Sequence, residues 1–441
     1  MASTVVVGLG TTGLACARFL RERGVVVAVT DSRANPPGLD RARQDLPDLQ
    51  LALGGFDRSL LARAREIVLS PGVSTREPAV AEAMARGVPV ISEIELFSRY
   101  ATRPVVAITG SNGKSTVTTI AGLMAERSGL DVAVGGNLGT PALQLLRTPQ
   151  PDLYVLELSS FQLETTDSLR PAAATVLNIS PDHMDRYDDL AQYVEAKRRV
   201  FKGDGVMVLN ADDSHVLAMA NPSRRCITFN LGRPVGEGFG VVGYAGHDWI
   251  VFGETPVMPV RELRLPGCHN LANAMAALAL GRSVGLKFPD MAAVLKDFSG
   301  LPHRTQWVAR AGGVNWYDDS KGTNVGATIA AVSGMPGPLV LIAGGDGKGA
   351  DFAPLRSALK GKVRCAVLIG RDADLIEAAL GGEVPTVRAV DMRDAVCRSA
   401  GAARPGDSVL LSPACASFDM FESYAQRGEV FQAAVREVLA C

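Results

Sequence analysis

The chain has 441 residues, 47% of them hydrophobic and 21% charged, a balance that excludes a disordered or membrane protein and asks for about three separate cores at roughly 150 residues each. Lys plus Arg (45) and Asp plus Glu (46) nearly cancel, so no broad basic field draws the protein to nucleic acid or anionic lipid. Seven scattered cysteines without a CxxC pair argue for free thiols in a reducing cytosol and against a zinc site.

In chain order, Thr4 to Val7 reads as a strand starting almost at once, which leaves no room for a signal sequence and points to a cytoplasmic protein. No apolar stretch reaches the roughly 18 residues of a membrane span. The strand runs into Gly8-Leu9-Gly10-Thr11-Thr12-Gly13, then a helix from Leu14 to Arg23 and a second strand, Val25 to Val29, ending at Asp31. Strand, GxGxxG, helix, strand and an acid about 20 residues on make up the whole dinucleotide-type fingerprint, whose glycines let a backbone approach a diphosphate. Glu66 to Leu69, closing on Ser70-Pro71-Gly72, and Val88 to Ile91 complete a small parallel sheet.

A second segment opens after Arg103-Pro104 with the apolar run Val105 to Ile108 and then Thr109-Gly110-Ser111-Asn112-Gly113-Lys114-Ser115-Thr116. This is a phosphate-gripping loop for ATP. Gly110 and Gly113 free backbone N–H groups to face anionic oxygens, Lys114 supplies a cation, and the Ser115 hydroxyl reaches a Mg²⁺ ion at the start of a helix from Ser115 to Ser128. Ile108 stands where the strict Walker spacing has its first glycine, so the loop is a shortened variant. Strands at Val132 to Val134, Leu153 to Leu158 and Ala174 to Leu177 continue a parallel sheet covered on both faces. Glu157 suits a Mg²⁺ ligand at a strand end. His183, in Asp182-His183-Met184-Asp185-Arg186, is a candidate for a second metal ion. Lys197, beside Arg198 and Arg199 on a helix from Leu190 to Phe201, reads as solvated surface. Short Gly- and Val-rich strands between Val206 and Leu265 form a β excursion, followed by a helix from Gly267 to Leu280.

The third segment follows Gly300-Leu301-Pro302-His303-Arg304, with strands at Val314 to Tyr317, Leu339 to Ala343, Cys365 to Ile369 and Ser408 to Leu411. Tyr317-Asp318-Asp319-Ser320-Lys321-Gly322-Thr323-Asn324 packs charges and hydroxyls at a strand end, a density that is expensive unless a ligand binds. With Gly344-Gly345-Asp346-Gly347-Lys348-Gly349 and Ser412-Pro413-Ala414-Cys415-Ala416-Ser417-Phe418, it is expected to line one anion pocket.

Taken together, GLGxTG, SPGV, TGSNGKST, GGNLG, LELSSFQL, NISPDHMDRY, AKRRVF, HNxxNA, GLPHR, DDSKGTN, GGDGKGADF and SPACASFDMF resemble, in order and over essentially the whole chain, the Mur ligases. These are the ATP-dependent enzymes that add amino acids to the peptidoglycan precursor. The GLGxTG start and DDSKGTN match the branch that adds D-glutamate to UDP-N-acetylmuramoyl-L-alanine. The resemblance implies an α/β chain of three domains in series. These are a Rossmann-like UDP-binding domain (1–93), a central P-loop-type ATPase domain with a mostly parallel sheet and the β excursion (94–301), and a Rossmann-like amino-acid-binding domain (302–441).

It also implies residue roles. Gly110, Ser111, Asn112, Gly113, Lys114, Ser115 and Thr116 would grip ATP, with Asn270, Asn273, Arg304 and Asp319 on the nucleotide and Lys321 on its phosphate. Ser115, Glu157, His183 and Lys197 would serve Mg²⁺, with Lys197 carbamylated and hence anionic, against its reading as surface. Lys114, His183 and Lys197 would be the catalytic residues. Gly10, Thr11, Thr12, Asp31, Ser32, Arg33 and Gly72 would hold UDP, and Asn137, Ser159 and Gln162 the sugar-peptide part. Thr323, Lys348, Ser417 and Phe418 would frame D-glutamate. Phe418 stands where the family pattern has leucine, Tyr424 where it has phenylalanine, and Gly322 where it has alanine.

The implied chemistry is an acyl phosphate formed from the L-alanyl carboxylate and ATP, then displacement of phosphate by the D-glutamate amine, with domain closure excluding water. A monomer with small-molecule partners and no nucleic acid or membrane partner is expected. An NAD-dependent oxidoreductase would account for the first Gly-rich turn but leaves the loop at Lys114 unexplained. An ATP-gated binding protein would account for that loop without any turnover.

Overall fold

The computed structural model describes residues 3–244, 246–265, 267–335 and 337–440. Cys441, counted above among the free thiols, lies outside them; the other six cysteines are free. Three sheets follow one another along the chain. The first holds β1 (Thr4–Val7), β2 (Val27–Asp31), β3 (Gln50–Leu53), β4 (Glu66–Leu69) and β5 (Val90–Ser92), all parallel in the order β3-β2-β1-β4-β5. Val5, Val6 and Val7 are fully buried, as near-continuous apolar strands must be when helices cover both faces of a sheet.

The second sheet holds β6 (Val105–Thr109), β7 (Val132–Gly136), β8 (Leu153–Glu157), β9 (Ala173–Val176), β10 (Val206–Asn210) and β11 (Cys226–Phe229). The β excursion expected from Val206 to Leu265 begins later, because β10 and β11 extend the parallel run; it comprises β12 (Gly238–Tyr244), β13 (His247–Phe252) and β14 (Thr255–Pro259). The order is β14-β13-β12-β11-β10-β9-β6-β8-β7, parallel except where β13 pairs antiparallel with both its neighbours. The third sheet holds β15 (Gln306–Ala311), β16 (Val314–Asp318), β17 (Leu339–Gly344), β18 (Val363–Ile369), β19 (Thr386–Arg388) and β20 (Ser408–Leu411) in the order β15-β16-β20-β17-β18-β19, with only β15 antiparallel.

The contacts divide the chain into two compact units. One runs to Ile179 and adds Ala191–Glu262 and Asn273–Lys296; the other gathers Ser180–Leu190, Leu263–Ala272 and everything from Asp297 onward. The first therefore contains two of the sheets and the second contains the third sheet. No described helix is long and apolar enough to cross a membrane.

The expected elements are present with shifted ends. The first helix spans Thr11–Glu22 instead of starting at Leu14, because the Gly-rich turn itself supplies the first helical turn. A Cβ on Gly13 would sit 1.8 Å from the Gly8 carbonyl oxygen, so only glycine lets the helix start that close to β1. The expected helix from Leu190 to Phe201 is α-helical over Leu190–Arg198 and then tightens to a 3₁₀ turn.

Candidate functional site

Parallel sheets collect their loops at the carboxyl ends of the strands, and each of the three sheets does so here. On the first, the Gly8–Gly13 turn follows β1, Asp31 ends β2, and Ser70–Gly72 follows β4, three neighbouring strands. Asp31 is buried; its carboxylate accepts the Leu9 N–H at 2.7 Å and the Arg33 backbone and guanidinium N–H groups at 2.8 to 2.9 Å. Burial works against its charge, but these donors, Arg33 first, bring the carboxyl down to about 2. Asp31 thus orders the turn, while Thr11, Ser32, Arg33 and Gly72 form the exposed rim around it, with Gly10 and Thr12 half-buried.

On the second sheet, the loops after β9, β6, β8 and β7 come from four adjacent strands. Gly110 and Gly113 take positive φ, +147° and +85°, and the helix Lys114–Arg127 starts directly behind them. Lys114 Nζ donates to the Gly110 and Ser111 carbonyls at 2.8 and 2.9 Å. A Cβ on Gly113 would meet Asn273 Oδ1 at 2.4 Å, so Asn273, which only the resemblance had implicated, lies against the phosphate loop. Glu157 is 3% exposed and accepts the Asn137 amide at 2.9 Å, which joins a candidate metal ligand to a candidate sugar contact. Ser159 and Gln162 form a capping box on the helix Ser160–Glu164. The Gln162 side-chain oxygen Oε1 accepts the Ser159 N–H at 2.9 Å, so this pair is placed as a structural cap at the loop's edge.

Lys197 corrects the sequence reading. It is buried at 2% exposure, not a solvated surface residue, because the helix Leu190–Arg198 turns that face inward beneath the phosphate loop. Its Nζ donates to the Gly110 carbonyl at 2.8 Å and lies 4.5 Å from the Tyr193 ring centroid. Two residues without an assigned role in the sequence also brace the loop. Asn178 accepts the Asn112 N–H at 2.8 Å through its side chain and the Ser111 N–H at 2.9 Å through its carbonyl. The Tyr193 hydroxyl meets Ser111 Oγ at 3.1 Å. Only the motif NISPDHMDRY, which opens at Asn178, hinted at the first of them.

On the third sheet, β16, β20 and β17 are neighbours, so the three motif loops that follow them do converge. The Ala414 N–H donates to the Gly322 carbonyl at 2.9 Å, and Asp346 and Ala416 exchange backbone hydrogen bonds. Half of the dense DDSKGTN cluster serves the fold. Asp318 accepts Gln432 Nε2 at 2.8 Å and the Ser320 N–H at 2.9 Å, and pairs with His303 Nδ1 at 2.7 Å. Asp319 accepts Ser412 Oγ at 2.7 Å and the Thr305 N–H at 3.1 Å, and burial pushes its carboxyl up to about 6. The Lys321 ammonium lies 3.7 Å above the Tyr424 ring, a cation–π contact that phenylalanine at that position would also make. Arg427, unremarked in the sequence, is 1% exposed and ties the loops together. It donates to Ser320 Oγ at 3.0 Å, the Ser320 carbonyl at 2.8 Å and the Cys415 carbonyl at 3.1 Å. Burial lowers it to about 10.

Thr323 and Lys348 share a small cleft with Asp182, His183 and Asn324, all within the second unit. Ser417 is buried, whereas Phe418 is 76% exposed. Asn270 and Arg304 are half-buried in the same unit. Among the described residues, five other than glycine, His183, His303, Thr305, Lys348 and Ala414, take positive φ between 47° and 60°. All lie in or beside the motif loops, as backbone strain does at functional sites.

Known proteins resemble this chain over its whole length. Family models match over residues 2–92 (Mur ligase MurD-like, N-terminal domain), 108–281 (Mur ligase middle domain) and 303–415 (Mur ligase, glutamate ligase domain). The chain is 55% identical to a protein of Nitrosococcus oceani named UDP-N-acetylmuramoylalanine--D-glutamate ligase, across 100% of this chain and 98% of that one. It is 53% identical to one of the same name from Methylococcus capsulatus, across 98% and 94%. Among solved structures, the UDP-N-acetylmuramate-alanine ligase MurC of Thermotoga maritima superposes with a TM-score of 0.64 at 15% identity, covering 99% of this chain and 100% of that one. With the three family models matched in order and relatives this similar from end to end, the chain belongs to the Mur ligase family, whose members are ATP-dependent amide-forming ligases of peptidoglycan precursor synthesis.

Proposed function

We propose that this protein joins D-glutamate to UDP-N-acetylmuramoyl-L-alanine, with cleavage of ATP to ADP and phosphate, as a monomer in the cytoplasm. The observation that carries the substrate assignment is the name shared by relatives more than half identical over its full length. The geometry supports it, because each sheet presents one ligand edge of suitable chemistry. The first has a diphosphate turn, the second a phosphate loop beside buried acid and lysine side chains, and the third a cleft with a cation for a carboxylate.

In the reaction, an oxygen of the L-alanyl carboxylate attacks the γ-phosphorus of ATP and ADP leaves, giving an acyl phosphate. The amine of D-glutamate then attacks the acyl carbon, and the tetrahedral adduct expels phosphate as the amide forms. Lys114 and the loop N–H groups balance the charge of the transferring group. The resemblance assigns Asn270, Asn273, Arg304, Asp319 and Lys321 to the nucleotide. Asp31, Ser32, Arg33 and the glycine turn go to UDP, and Thr323, Lys348, Ser417 and Phe418 to D-glutamate.

Mur ligases use Mg²⁺, which supplies neutralisation of phosphate charge when bound. Among the described residues no group of three or more His, Cys, Asp or Glu side chains could hold a metal ion by itself. Mg²⁺ takes one or two carboxylates and completes its shell with phosphate and water oxygens. Ser115 and Glu157 are suitable hard-oxygen ligands, and His183 and a carbamylated Lys197 are assigned the same service.

The test is a phosphate-release assay on the purified protein. Release is expected only when UDP-N-acetylmuramoyl-L-alanine, D-glutamate, ATP and Mg²⁺ are all present. Equal turnover with L-glutamate, or release without amide product, would refute the assignment.

A further inference from the structure

The cleft holding Thr323 and Lys348 contains a charge that no role above uses. Asp182 Oδ1 accepts Lys348 Nζ at 2.5 Å, and its Oδ2 accepts Asn324 Nδ2 at 3.1 Å. The two charged side chains are 9% and 14% exposed. His183 Nε2 stands 3.7 Å from the same carboxylate.

The arrangement is fixed from several sides. The Asn324 side-chain oxygen Oδ1 caps the helix Val325–Gly334 through the Ala327 N–H at 2.8 Å, which leaves its side-chain N–H₂ aimed at Asp182. Asp346 holds the Lys348 backbone N–H at 3.0 Å, and Asp182 Oδ1 holds the His183 backbone N–H at 3.0 Å. Both Lys348 and His183 keep left-handed backbone conformations, with φ of 54° and 58°.

A nearly buried anion and cation lining one cleft form a complement to a zwitterion. If a ligand carboxylate alone took Lys348, it would displace Asp182 and leave a desolvated carboxylate without its cation, a heavy cost. An amino acid avoids that cost, because its ammonium replaces Lys348 as the partner of Asp182 while its carboxylate replaces Asp182 as the partner of Lys348. One ion pair becomes two, and no charge is stranded.

We propose that Asp182 is the receptor for the α-ammonium of the incoming amino acid, so that the Asp182–Lys348 pair opens around a zwitterion and rejects the corresponding acid without the amine. This rests on the reading that Thr323 and Lys348 bind D-glutamate. The role is one of binding and selection: the ammonium still has to lose a proton before it attacks.

The experiment uses the full-length enzyme in the phosphate-release assay. It measures KM for D-glutamate and the inhibition constant of (R)-2-hydroxyglutarate, the same skeleton with hydroxyl in place of ammonium. Asp182→Asn is expected to raise KM for D-glutamate by about 30-fold or more, while the hydroxy diacid binds as before or more tightly, freed from competition with Asp182. Asp182→Glu, which keeps the charge, should restore preference for D-glutamate. Lys348→Ala should weaken both ligands together. If Asp182→Asn shifts both ligands by the same factor, Asp182 only props Lys348 and the proposal falls. It falls equally if KM for D-glutamate stays within about 3-fold, well short of what loss of a buried charge partner brings. Absence of any D-glutamate-dependent release in the unaltered enzyme would instead overturn the substrate reading, and the proposal with it.

Discussion

Beneath the phosphate loop, the Lys197 ammonium donates to the Gly110 carbonyl and meets a tyrosine face, and so buried a charge tends to be spent on function. Lys197→Ala should lower kcat by about two to three orders of magnitude, the equivalent of roughly 3–4 kcal/mol for a lost buried charge contact. The nature of the rescue identifies the working group. Recovery by millimolar formate or acetate means the side chain acts as a carbamate, whereas recovery by a small alkylamine means it acts as an ammonium. Glu93 is a second buried charge, 1% exposed, accepting the Leu143 N–H at 2.7 Å. Burial raises its carboxyl from 4.5 to about 7, so the folded chain binds the proton more tightly than the unfolded one. Its favourable contribution is complete below about pH 4.5 and is lost as pH climbs through 7. Glu93→Gln keeps the acceptor and removes the charge. It should raise stability at pH 8 by on the order of 3 kcal/mol and leave it nearly unchanged at pH 4, as read from urea midpoints; an unchanged pH profile would rule this out. Lys114 and Ser115 were legible in the sequence because their chemistry depends on neighbours a few residues away. Lys197 was reached only through the resemblance, and the bracing roles of Asn178 and Arg427 not at all, since each acts on a loop that is distant in sequence and adjacent only once strands pair.

Glycine-rich strand-to-helix turns were the most legible elements, because a missing Cβ is a local steric fact. At Gly13 an added methyl would overlap the Gly8 carbonyl at 1.8 Å and approach Ser70 Oγ at 3.2 Å, so turn and helix must part. Gly13→Ala should therefore cost about 1–3 kcal/mol of stability, as overpacking does. It should also raise KM for UDP-N-acetylmuramoyl-L-alanine with little change in KM for D-glutamate. Equal increases in both would separate this turn from the UDP role. The strands absent from the sequence reading were Gln50–Leu53, Gln306–Ala311 and Thr386–Arg388. All lie at sheet edges and none is fully buried along its length, so they lack the continuous apolar run that marks a central strand. The helix Cys268–Ser283 was expected, but the placement of Asn273 against Gly113 needed the fold.

Across the molecule, the sequence suggested a separate core for each sheet, yet one apolar cluster takes in Val6 and Val29 of the first and Ala107, Leu156 and Val176 of the second, while Val5, Val7 and Ala28 on the other face of the first sheet belong to a cluster of its own. The join between them is also hydrogen-bonded. Ser92 Oγ meets Thr166 Oγ1 at 2.7 Å, the Ser92 N–H donates to the Thr165 carbonyl at 3.0 Å, and Glu95 accepts the Asp167 and Ser168 N–H groups at 2.7 Å. A continuous core leaves no low-cost plane along which the first sheet could open alone, whereas the third sheet carries its own apolar layers on both faces. Calorimetry is therefore expected to resolve two transitions, one for each compact unit, instead of three. UDP-N-acetylmuramoyl-L-alanine at about 100 times its Kd should stabilise the transition containing the first two sheets by about 2.7 kcal/mol while the other stays in place. Glu95→Ala, which strips the acceptor from two backbone donors at the join, should broaden or split the same transition. A first sheet that melts alone in the unaltered protein would show that the shared core does not couple the two.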